Sequence, residues 1–260
     1  VSDALSISAG RYHTALGYWN QTYHHGRILF ATLDRPQFYQ FEDDGGLLPV
    51  HGVGIQATGL VELPGATLEY TANLGNGRGR TVDEIEYRVD YNHGKEVGFN
   101  VGLRPDAVPG LLGGVGFSYD TIPIDPGVPG RLDPVTEYIA GGYLVYRNGP
   151  VEILSEYFHM LHRARYEGSA GEFRFNMFYA QAAYEIGPWK PYYRYEEVRG
   201  PKNSLDPYFG TEVTFYQTHL VGVGYRFSSL TVVKLEVGAK DSVGGLAREA
   251  YVGAQVAIGF

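Results

Sequence analysis

Strict alternation of apolar and small or polar residues, in runs of roughly ten, repeats down almost the whole chain, and it is the period of a β-strand. The last run is the clearest. Ala250, Val252, Ala254, Val256, Ile258 and Phe260 form one face, against Glu249, Tyr251, Gly253, Gln255, Ala257 and Gly259 on the other. Thr231, Val233, Leu235, Val237 and Ala239 alternate with Val232, Lys234, Glu236, Gly238 and Lys240, and Ala66–Leu74 reads the same way. No long segment carries apolar residues at helical spacing, and no apolar stretch of 20 residues occurs, so a transmembrane helix is excluded. The alternation predicts about twelve strands, near 5–15, 50–63, 66–77, 95–105, 111–121, 136–147, 150–163, 174–187, 189–199, 212–228, 230–241 and 247–260. Several exceed ten residues, where soluble sheets average five or six. About 9–11 tilted residues per strand cross a hydrocarbon core.

The connections sort into two kinds. Short ones fall at 63–66, 105–110, 147–150, 187–188 and 228–229; longer ones at 16–49, 78–94, 122–135, 164–173 and 200–211, with a short Gly-Gly one at 242–246. Short turns at one end and long loops at the other are the asymmetry of an outer-membrane barrel. Charges within strands oppose the aliphatic face, as at Glu69, Arg104, Arg194, Lys234 and Glu236, and tyrosine and tryptophan gather at strand ends. A lipid-facing Arg or Lys at mid-membrane costs roughly 2–4 kcal/mol, so these charges belong inside. The expected fold is therefore all-β: a transmembrane antiparallel up-and-down β-barrel, one domain over 1–260, with a long, inward-folded loop at 16–49. Tyr 22 and Phe 13 argue against disorder, Cys 0 removes disulfides and thiol chemistry, and a net charge of -8 disfavours nucleic acid as a partner.

The ending Val256-Ala257-Ile258-Gly259-Phe260 looks like the C-terminal signal that hands bacterial outer-membrane barrels to their insertion machinery, Phe260 being its key residue. Residues 7–17, Ile-Ser-Ala-Gly-Arg-Tyr-His-Thr-Ala-Leu-Gly, resemble a strand segment of the phosphate-selective (porin O/P-like) porins of Gram-negative bacteria. The later Val53-Gly54-Ile55-Gln56-Ala57-Thr58-Gly59, Ala72-Asn73-Leu74-Gly75-Asn76-Gly77-Arg78-Gly79 and Ser155-Glu156-Tyr157 are similar in kind and order. That resemblance implies a porin conducting ions, a homotrimer, and about sixteen strands, roughly four of them before the Gly-Arg-Tyr segment. Two readings stay open: twelve strands close the barrel, or they are the C-terminal part of a sixteen-stranded one in a longer precursor. The chain shows no signal-peptide pattern. Lysine is absent from residues 1–94, so the family's phosphate selectivity is not expected here.

A lumen of that size needs something to narrow it, and loop 16–49 is the candidate. Folded inward, it would set Arg27 and Arg35 against Glu42, Asp43 and Asp44 across a constriction, a transverse field that filters ions. The wall residues expected to line the pore are Gln56, Glu69, Asn73, Asn100, Arg104, Gln181, Lys190, Arg194, Glu196, Arg226, Lys234, Glu236, Lys240 and Gln255. Glu152 and Glu156 are expected to pair with neighbouring arginines. In the strand at 5–15, Arg11 and His13 share the phase of Leu5 and Ile7, and a bulge would resolve that conflict.

The expected function is passive diffusion of small hydrophilic solutes or ions across the outer membrane, with lipid around the barrel and no catalysis, cofactor or metal. Two other readings are weighed: a plugged barrel acting as an anchor or sleeve for a periplasmic or surface partner protein, and a phospholipase-type barrel enzyme. His24-His25 with Glu42-Asp43-Asp44 lacks the ligand spacing of a known metal loop. His159 and His162 lie on opposite strand faces, and His219 faces lipid with no serine in phase.

Overall fold

A computed structural model describes residues 3–23, 26–84, 89–90, 94–123, 125, 127, 133–166, 169–201, 206–210, 215–242 and 248–259. The expected Phe260 signal and the His24-His25 pair lie outside the described residues.

The twelve predicted strands are all present. They run β1 (Ser6–His13), β2 (His51–Leu63), β3 (Ala66–Gly75), β4 (Glu96–Pro105), β5 (Leu111–Ile122), β6 (Val135–Asn148), β7 (Val151–Tyr166), β8 (Ser169–Tyr184), β9 (Trp189–Arg199), β10 (Tyr216–Ser228), β11 (Thr231–Ser242) and β12 (Arg248–Ile258). Each pairs antiparallel with its neighbours in chain order, making one 12-stranded up-and-down sheet. Gly65, Gly110, Gly149 and Gly187 hold positive φ in four of the short turns, where a side chain would be strained.

Alternation gives each strand two different faces. Ile7, Ile55, Leu74, Val97, Val115, Leu144, Ile153, Val221, Leu235, Val237, Val252 and Val256 are exposed on the outer face. The inner face of the same strands carries Asn73, Asn100, Glu137, Glu156, Arg194, Lys234 and Glu236, all buried. A water-soluble sheet protein would reverse this arrangement, and an apolar outward band around a polar interior is the signature of a membrane barrel. Inside, the long loop meets β3 at Asn73, β4 at Asn100, β7 at Glu156, β9 at Arg194, β11 at Lys234 and β12 at Gln255. One segment touches strands so far apart in the sheet only if the sheet wraps round it.

Two expectations need correcting. The long connection placed at 164–173 is strand, with Tyr166 opposite Ser169. Its charges alternate like the rest: Arg163 pairs with Glu172 at 3.0 Å and Arg174 with Glu172 at 2.5 Å on the outer face, so a polar outward row extends the hairpin beyond the apolar belt. The bulge expected in β1 is absent, because its register with β2 runs unbroken from Ser6↔Thr58 to His13↔His51. Arg11 instead lies on the outer phase and bonds the ring of His51 at 3.0 Å.

Candidate functional site: the loop-filled lumen

The loop between β1 and β2 is closed at its neck, where Thr14 N donates to Val50 O at 3.2 Å and Asn20 Nδ2 to the same carbonyl at 2.9 Å. Beyond the neck lies a short helix, α1 (Tyr18–Tyr23). The first backbone N–H groups of a helix have no partner within it. Here Glu156 on β7 supplies one: its carboxylate accepts from Tyr18 N at 2.7 Å and Trp19 N at 2.8 Å. The hydroxyls of Tyr39 and Tyr179 complete the set at 2.9 Å each. Burial, with Glu156 alongside, pushes the Tyr39 phenol well above its ordinary range. The expected arginine partner of Glu156 is not what holds it; four N–H and O–H donors satisfy a buried carboxylate instead.

The middle of the loop is irregular, so its carbonyls need donors from the wall. Lys234 on β11 directs its ammonium at Phe30 O and Thr32 O, both at 2.8 Å, and at Arg27 O at 2.5 Å. Arg194 on β9 reaches Thr32 Oγ1 and Asp34 O at 2.9 Å and pairs with Glu196 at 2.6 Å. Glu196 accepts from Gln37 N at 2.9 Å, Glu236 from Leu33 N at 3.3 Å, and Gln255 donates to Leu33 O at 3.2 Å.

The third anchor is a buried charge network. Arg78, just past β3, donates to Glu42 of the loop at 2.8 Å and to both oxygens of Glu137 at 3.0 and 3.1 Å. His162 lies between Glu137 and Asp206 at 2.8 Å from each. Asp206 in turn accepts from Tyr208 N and Phe209 N, so the 206–210 segment is folded inward onto the same network. Around these anchors Trp19, Phe30, Phe38, Leu47 and Leu48 of the loop pack with Phe158, Phe175, Met177 and Tyr179 of the wall.

The expected constriction residues are dispersed. Glu42 is withdrawn into the Arg78 network. Arg27 pairs with Asp34 at 2.9 Å, and Asp43 and Asp44 are exposed. Arg35 donates to Tyr39 O at 3.3 Å and lies over the Phe41 ring; burial lowers its pKa against the opposing pull of Asp34 and Asp44. Of the expected pore lining, Asn73, Asn100, Arg194, Glu196, Lys234, Glu236 and Gln255 hold the loop. The others pair along the wall: Glu69 with Arg104 at 2.7 Å, Lys190 with Glu152 at 3.1 Å, Arg226 with Glu185 at 3.3 Å. Gln56 donates to His13 O, Gln181 to Glu152, and Lys240 lies over the Tyr216 ring. The network of Arg78, Glu137, His162 and Asp206, with Asp120 accepting from Arg78 N at 2.7 Å, is not among the residues expected from sequence; charges in the inward phase of otherwise apolar strands are the available signal for Glu137 and His162. His159 and His162 do fall on opposite faces, and His219 bonds Tyr193 on the outer wall at 2.7 Å. Among the described residues no cluster of three or more metal-ligating side chains is present.

No family model matches the chain, and no curated protein matches it by sequence. Solved structures do. An anion-selective porin from Comamonas acidovorans superposes with a TM-score of 0.60 at 10% identity, over 95% of this chain and 68% of that one. This chain has the outer-membrane porin fold. OmpT, an outer-membrane protein of Vibrio cholerae, gives 0.58 at 16% identity over 95% and 74% of the two chains, and its trimer form 0.53 at 15% over 96% and 73%. Likeness at such identities establishes architecture, and it does so over nearly the full length of this sheet.

Proposed function

We propose that the protein is a bacterial outer-membrane channel of the porin type, passing small hydrophilic solutes or ions by passive diffusion, with loop 16–49 setting the size limit. The observation that carries this is the anchoring of an inward-folded loop by interior charges in a sheet whose outer face is apolar. In this reading the barrel acts without covalent catalysis or an organic cofactor, and assembles as a homotrimer, as one of the OmpT structures does. Kinship with the phosphate-selective porins is supported by the order of motifs quoted above, without their selectivity. Arg27, Asp43 and Asp44 remain the loop charges that face solvent and bias ion flow, with Arg35 half-buried behind them.

Planar-bilayer recording tests the proposal. The purified protein should give discrete steps, and replacing residues 18–47 by a short Gly-Ser linker should enlarge them several-fold. Absence of current from both proteins would overturn the channel and favour the second reading, an anchor or sleeve for a periplasmic partner. The apolar cluster filling the lumen is the observation on that side.

A further inference from the structure

On the short-turn side of the loop lies an open cavity of about 540 Å³, walled by β1–β4 and β6 and floored by Gln21 of α1. Its size falls within the range of small-molecule sites, ~300–1,000 Å³. The strand registers put four of its side chains at one height: Ser6 opposite Thr58, Thr58 opposite Thr71, Thr71 opposite Asn100. All four belong to the inward phase, so a row of three hydroxyls and an amide runs round the wall. Gln21 braces it: its Oε1 accepts from Thr71 Oγ1 at 2.8 Å and its Nε2 donates to Gly17 O at 2.7 Å. Asn100 Nδ2 donates to Gly17 O at 3.2 Å, and its buried Oδ1 takes no hydrogen bond among the described residues.

Hydroxyls and amides both donate and accept. An anion offers acceptors only and wants cations opposite. The described residues lining the cavity include no lysine or arginine, and the carboxylate of Asp3 repels an anion. An ammonium offers donors only and leaves hydroxyl donors idle; Glu69, moreover, is already neutralised by Arg104. A solute that itself carries groups of both kinds matches the row throughout.

We propose that this vestibule is a binding site for uncharged polyhydroxylated solutes of mono- or disaccharide size. That such a solute is also the permeant rests on the channel reading above. Binding is measured on the detergent-solubilised full chain by calorimetry with sucrose as probe, and with inorganic phosphate and putrescine as the charged comparisons. Sucrose should bind saturably and the two ions should not. Thr58→Val with Thr71→Val should weaken it about three- to tenfold by removing two hydroxyls, and Thr71→Ser alone should retain it. Phosphate or putrescine binding as tightly as sucrose, or sucrose binding unchanged in the double valine variant, would overturn the site. Because calorimetry needs no current, a protein that binds sucrose yet conducts nothing would sink the channel and leave the site standing.

Discussion

Glu156 shows how much work a single interior side chain does here. Its two oxygens take four hydrogen bonds, from the start of α1, from the loop's Tyr39 and from the neighbouring strand's Tyr179. Replacing it by leucine would leave two helix N–H groups and two phenols without that acceptor, at a cost on the order of 1–3 kcal/mol for each buried group left unpaired. The expected outcome of Glu156→Leu is a loosened loop: trypsin should cut after Arg27 many times faster than in the parent, read by mass spectrometry of the folded protein. Arg78→Met is a harsher change, because Glu42 and Glu137 would stay buried after losing their cation; removing one partner of a buried pair costs about 3–5 kcal/mol. Chemical unfolding from micelles should show that loss directly. Neither role was legible in the sequence. Parity places both glutamates inward, but the partner of Glu156 is loop backbone, which no side-chain pattern announces.

At the scale of strands, the alternation carried almost everything: all twelve appear where apolar and polar residues trade places. It failed where the outer face stops being apolar. Above the lipid belt, Arg163, Glu172 and Arg174 occupy outward positions, and a charged stretch reads as a loop although its hydrogen-bond ladder continues. The abundance of glycine inside strands, opaque in sequence, has a packing cause. Tyr192 lies flat across Gly222 to reach Glu236 with its hydroxyl at 2.9 Å, and a Cβ on Gly222 would come within 2.2 Å of that ring. Tyr143 covers Gly114 in the same way. Glycine in a strand often marks such a close approach. Gly222→Val should therefore displace Tyr192, free Glu236 and lower the yield of folded protein from denaturant, whereas Gly224→Val, whose Cβ meets only ordinary contacts, should fold nearly as well as the parent.

For the molecule as a whole, the outward aliphatic band is the feature that everything else presupposes. Val237 sits between Val221 and Val252 on that face. Val237→Arg should destabilise the protein by about 2–4 kcal/mol in lipid vesicles. In a detergent micelle, where the side chain reaches water more easily, the penalty should shrink, and equal penalties in both would count against a membrane setting for this face.

The loop's partners lie late in the chain. Phe30 O waits for Lys234, 204 residues on, and Leu33 O for Gln255, 222 residues on. The segment is made early, yet its backbone is satisfied only after the final hairpin exists, and contacts of such separation form slowly. Even Trp19 and Phe38 must wait for β7 and β8, whose Phe158 and Tyr179 rings they pack against. Seating this segment is thus the closing act of assembly, and a chaperone that shields aromatics would have its longest task here.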